Sequence, residues 1–111
     1  MYTYNAKLIR VVDGDTIKAM IDLGFHTWVD RTIRFYGINA YESRTRDLEI
    51  KVKGLAAKQY VIDALAAADG IFTLQSHGIG KYGRCLGTIH IDKLNLNNSL
   101  ILEGHAVQYI P

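Results

Sequence analysis

The chain has a single cysteine, Cys85, so no disulfide can form within it. That agrees with a reducing compartment without demonstrating one. Its one proline, Pro111, is the last residue. No apolar run approaches a membrane span, and MYTYNAKLIR at the N-terminus lacks the apolar stretch of a signal peptide. The expectation is an intracellular chain, or a trimmed form of a secreted one, with no membrane partner. Repeats, low-complexity tracts and linkers are absent. So is a strong charge excess: 13 Lys and Arg against 11 Asp and Glu leave +2. That balance permits a nucleic-acid partner but does not demand one. The four histidines, at 26, 77, 90 and 105, have no metal-site spacing and read as surface or core residues.

What is present is an ordinary globular composition, 49% hydrophobic and 22% charged over 111 residues. That predicts one domain, 1–111, with a core that needs no staples. Residues 3–12 and 15–22 read as strands around an Asp13-Gly14 turn, where glycine would accept a positive φ. Residues 28–38, rich in β-branched and aromatic side chains, read as a third strand. Residues 39–53 read mostly as a basic loop carrying Arg44, Arg46, Lys51 and Lys53, although LEIKVK alternates as a short strand would. Residues 54–69 form an Ala-rich helix with Leu55, Ile62, Leu65 and Ala66 at helical spacing and Gly70 as its stop. Strands at 71–76 and 82–92 follow. A short helix at 96–103 is capped by Asn95 and ended by Gly104. The order β-β-β-α-β-β-α is that of a five-stranded OB barrel, mainly β with helices.

Asp15 is in phase with Ile17, Ala19 and Ile21, so a carboxylate points to the core side of a strand. Arg34, Asn39, Glu42 and Arg84 also resist a packing explanation. Each has a bland reading: Asp15 can cap a turn, Arg34 can pair with Asp15, Glu42 can be a loop acid, and Arg84 a surface cation. Together they supply two acids, an amide and two guanidiniums, which suits phosphodiester hydrolysis. Guanidinium forks match the charged non-bridging oxygens and never deprotonate. A divalent cation held by hard oxygen donors adds Lewis-acid stabilisation, and a nearby glutamate can accept a proton from attacking water.

The segments VVDGDTI (11–17), TIRFYGINAYES (32–43) and KYGRCLGTIHI (81–91), with EGHAV (103–107), resemble staphylococcal nuclease and its thermonuclease family in order and spacing. The resemblance implies an OB barrel and metal-dependent, calcium-first endonuclease action on DNA and RNA with little sequence specificity, leaving 3′-phosphates. It implies that Asp15, Asn39 and the Ala40 carbonyl hold the ion, with Mg²⁺ or Mn²⁺ as substitutes. Arg34 and Arg84 match the catalytic arginines, Glu42 the general base, and Lys81 and Tyr82 residues that approach a substrate phosphate. Single strands are the expected preferred partner and a monomer the expected state. Asp15 would then face inward because an ion sits at the barrel mouth.

Three departures stand out. Asn39 replaces a common aspartate, which removes one ligand charge. Tyr41 stands where proline is common, so the start of the Glu42 loop is less constrained. The chain stops where the family's further C-terminal helix would follow. The alternative to an enzyme is a non-catalytic nucleic-acid-binding module of the same family. Retention of Arg34, Glu42 and Arg84 separates the two readings.

Overall fold

A computed structural model describes residues 2–110. Strands β1 (Thr3–Asp13) and β2 (Thr16–Asp22) form an antiparallel hairpin in which Asp13 pairs with Thr16 across the two-residue turn Gly14-Asp15. The glycine is not there for a positive φ, contrary to the sequence expectation. It is there for space. A Cβ on Gly14 would lie 2.7 Å from the Ala57 Cβ and 3.1 Å from the Ala40 Cβ. The turn is thus wedged against two elements distant in sequence.

Strand β3 (Trp28–Phe35) pairs with β2 from Trp28 to Arg34 and ends three residues earlier than its composition predicts. The chain turns at Tyr36-Gly37, and β4 (Ile38–Ala40) pairs instead with β8 (Ala106–Gln108) in a separate two-stranded sheet. Strands β5 (Ile71–Ile79) and β6 (Cys85–Ile91) continue the main sheet from β1. A parallel pairing of β3 with β6, Ile33 to Cys85 and Phe35 to Gly87, closes it into a five-stranded barrel. Strand β7 (Leu94–Asn95) extends β6. The expected mixed barrel-and-helix architecture is the one observed.

Helix α1 (Leu48–Ala66) begins six residues before the predicted start. The Asp47 side chain accepts from the backbone N–H groups of Glu49 and Ile50, satisfying two donors that a helix N-terminus leaves free. That cap converts the alternating 48–53 segment into helix. The buried stripe is Gly54, Ala57, Val61 and Leu65, while Leu55 is half exposed. Two of the four are among the smallest residues, so the first half of α1 lies close to the barrel mouth.

Helix α2 (Leu96–Leu102) is capped by Asn95, whose side chain accepts from the Asn98 N–H. Ile17, Ile33, Phe35, Leu74 and Ile89 of the barrel meet Val61, Leu65, Leu96 and Leu100 of the helices in one buried cluster. Full burial of such side chains contributes about 1.5–3 kcal/mol each, far more than helix propensity does. Among the described residues no helix is long and apolar enough to cross a membrane.

One buried amide ties the layers together. Asn97 is 3% exposed; its oxygen accepts from the Ile89 N–H, and its nitrogen donates to the carbonyls of Tyr36 and Gly87. Asn97→Ala leaves these backbone groups without that partner in a dry interior. The expected loss is about 3 kcal/mol, measured as a lower denaturant midpoint at unchanged slope.

Candidate active site

Closure of the barrel through β3 and β6 brings the ends of several elements to one mouth. Asp15 comes from the β1–β2 turn, Arg34 from β3, Asn39 and Ala40 from β4. Glu42 comes from the segment leading to α1, and Arg84 from the residue before β6. All six line one cavity of about 440 Å³. These residues are spread over 70 positions of sequence, and only the long-range pairings unite them.

Asp15 is 9% exposed, and three donors meet its carboxylate. Oδ2 accepts from the Ala40 N–H at 2.9 Å and faces Arg34 Nη1 at 3.1 Å; Oδ1 accepts from the Thr16 hydroxyl at 3.0 Å. A carboxylate this deep in the fold costs free energy unless so paired. The Arg34 guanidinium also donates to the Asn39 side-chain oxygen at 2.8 Å and to the Phe35 carbonyl at 3.3 Å. Arg34 therefore joins the turn, β3 and β4 through one planar group. Its five N–H donors exceed these three contacts by two, which leaves donors for an anion.

Glu42 is exposed, and its carboxylate makes no hydrogen bond or ion pair among the described residues. Arg84 lies below the Tyr82 ring with Cζ 5.9 Å from the centroid, and its buried Nε has no partner among the described residues. The turn Lys81–Gly83 that precedes it is tight: Tyr82 has φ 65° and Gly83 φ 72°, and the Gly80 N–H bonds back to the Arg84 carbonyl. Lys81 and Tyr82 are exposed beside the cavity and are not part of its lining.

Two charged lining residues escaped the sequence reading. Asp13 is absorbed into the turn signal, yet its buried Oδ1 has no partner among the described residues. Arg44 was one cation in a charged run. With them the lining holds three carboxylates (Asp13, Asp15, Glu42) and three guanidiniums (Arg34, Arg44, Arg84). Among the described residues no three His, Cys, Asp or Glu side chains cluster closely enough to hold an ion by themselves.

Two groups outside the cavity lining have shifted pKa values. Burial, helped by His90, lowers the His77 pKa, and its ring stacks on Tyr36 at 4.0 Å. Burial pushes the Cys85 thiol up against the pull of Arg31, so it is no thiolate nucleophile.

A family model described as "Staphylococcal nuclease homologue" matches residues 32–110. The chain belongs to the staphylococcal nuclease family. A comparison with curated proteins gives no match. The family places the chain among nucleases and nucleic-acid-binding domains. The matched stretch contains Arg34, Asn39, Ala40, Glu42 and Arg84, with Lys81 and Tyr82. The Asp13-Gly14-Asp15 turn precedes it, yet β2 and β3 hold that turn against the matched part.

Proposed function

We propose that this member of the staphylococcal nuclease family is a divalent-metal-dependent endonuclease. It hydrolyses phosphodiester bonds of DNA and RNA with little sequence preference, acts first on single strands as a monomer, and leaves 3′-phosphates. The observation that carries this reading is the convergence of Arg34, Glu42 and Arg84 on one cavity beside Asp15.

The donor set fits a hard cation. The Asp15 carboxylate, the Asn39 side-chain oxygen and the Ala40 carbonyl are all oxygen ligands, and the unpartnered Asp13 Oδ1 lines the same cavity. Asn39 adds no charge, so calcium is held less tightly than between two aspartates, and Mg²⁺ or Mn²⁺ competes. When bound, the cation supplies Lewis-acid stabilisation to the phosphate.

The protein's own groups do the rest. Arg84 and the spare donors of Arg34 hold the non-bridging phosphate oxygens and stabilise the charge that grows on them. Glu42, with no internal partner, accepts a proton as a water oxygen bonds to phosphorus. The bond from phosphorus to the 5′-oxygen breaks, and that oxygen takes a proton from solvent. Lys81 and Tyr82, exposed beside the mouth, meet the next phosphate of the strand.

The test is incubation with single-stranded DNA in about 1 mM Ca²⁺, Mg²⁺ or Mn²⁺, with EDTA as control, the weak end of calcium affinities for such sites. Cleavage with metal, 3′-phosphate ends, and none with EDTA are expected. Undiminished cleavage in EDTA overturns the metal requirement. No cleavage with any ion, but retention of DNA that weakens as salt rises, makes the chain a binding module instead.

A further inference from the structure

Nothing at the level of side chains fixes Glu42. Its carboxylate is exposed and has no hydrogen bond or ion pair among the described residues. The geometry nevertheless holds this segment from behind. Gly54 is buried in the interior of α1, where glycine weakens a helix. A Cβ at Gly54 would sit 2.6 Å from the Ser43 nitrogen and closer still to the carbonyl of Glu42. The α1 backbone therefore rests directly on the Glu42–Ser43 peptide, and Ser43 is buried beneath it at 4% exposure. One residue earlier, the Lys53 ammonium lies 5.2 Å from the centre of the Tyr41 ring. Two successive residues of one helix thus hold two successive residues of the loop.

We propose that Lys53 and Gly54 are positioning residues for Glu42: α1, packed behind the Glu42–Ser43 peptide, is the part that aims the carboxylate into the cavity. This deepens, and rests on, the reading of Glu42 as the proton acceptor. Neither residue lines the cavity, so the effect assigned to them passes through Glu42. A methyl group at 54 must push the Glu42 peptide away, and displacements of about 1 Å at a reacting group cost on the order of 100-fold in rate. Loss of the Lys53 charge removes the weaker hold on Tyr41, worth roughly three-fold.

The experiment pairs kinetics with amide hydrogen exchange on Gly54→Ala and Lys53→Met, each alone and combined with Glu42→Gln. Alone, each lowers kcat on a short oligonucleotide by the factors above, with KM within about twofold, because the phosphate clamp is untouched. In the Glu42→Gln background neither lowers kcat further, since the group being aimed is gone. Exchange at residues 42–44 speeds up in both variants while β1 and β6 stay protected. An equal kcat loss in the Glu42→Gln background, or unchanged exchange at 42–44, overturns the proposal. Lys53 is exposed, so Lys53→Met carries the same test if Gly54→Ala does not fold. If the parent chain cleaves nothing, the nuclease reading fails. Exchange at 42–44 then still decides whether α1 holds the loop.

Discussion

Arg84→Ala lowers kcat for DNA cleavage by about 1,000-fold and leaves the fold's stability within about 0.5 kcal/mol of the parent. Both halves follow from the same geometry. The Arg84 guanidinium has no internal hydrogen bond or ion pair among the described residues, and its buried Nε has no acceptor at all. Its internal contact of note is the face of an exposed tyrosine ring. Removing a side chain with so few native contacts costs little folding energy. Its charge, however, faces a cavity where a phosphate would gather charge in the transition state. A positioned arginine in phosphoryl transfer contributes about 10³–10⁵ in rate, and one lost donor to a developing oxyanion about 10²–10³. Arg84→Lys keeps the charge and loses the fork, so it recovers only part of the rate. The measurement is kcat and KM for both variants beside their unfolding curves. A fall in KM affinity alone, with kcat intact, removes Arg84 from the chemistry and leaves it a binding residue.

How much of this was legible in the sequence depends on the range of the interaction. Local signals read correctly. The alternation Ile17, Ala19, Ile21 gives the inward face of β2, the β-branched run 28–38 gives β3 with three residues too many, and Asn95 and Gly104 bracket α2. The element order then names the barrel. The alternation of 48–53 misled, because Leu48, Ile50 and Val52 are not packed on a sheet at all. They are exposed at 75%, 39% and 67% on a helix whose start is decided by the Asp47 cap. Period alone does not separate six exposed apolar and charged residues into strand or helix. The turn reading of Gly14 misled, and Gly54 drew no reading at all, for a different reason. Their roles are close approaches to residues far along the chain, and no local pattern records such a contact.

The candidate site shows the same division. Asp15, Arg34, Asn39, Glu42 and Arg84 could be picked out because each is a polar residue that secondary structure does not explain. That they share one cavity could not be read from spacing, since β3–β6 closure and the β4–β8 pairing bring them together. Asp13 and Arg44 were missed because each had a sufficient local explanation, a turn and a charged run. The buried, unpartnered oxygen that singles out Asp13 exists only once β1 is folded.

Asp15→Ala separates the two reasons a carboxylate can face inward. The structure already supplies one: the Ala40 N–H, the Thr16 hydroxyl and the Arg34 guanidinium all converge on it. The ion pair is largely buried, with side-chain exposures of 15% and 12%. Breaking it leaves Arg34 with the Asn39 amide and a carbonyl as partners, at a cost of about 3 kcal/mol. Stability should therefore fall even without metal, which the inward-pointing pattern alone did not disclose. The second reason is the cation. If Asp15 holds it, calcium at about 100 times its dissociation constant raises the parent's unfolding free energy by about 2.7 kcal/mol, and the variant gains almost nothing. Denaturant unfolding with and without Ca²⁺, on both chains, reads the two effects apart. Loss of intrinsic stability with calcium stabilisation intact would make Asp15 an anchor for Arg34 and move the ion elsewhere in the cavity. Loss of both places the ion against Asp15. In that case Asn39→Asp, which restores a second ligand charge, should increase the calcium-dependent gain by tightening the site.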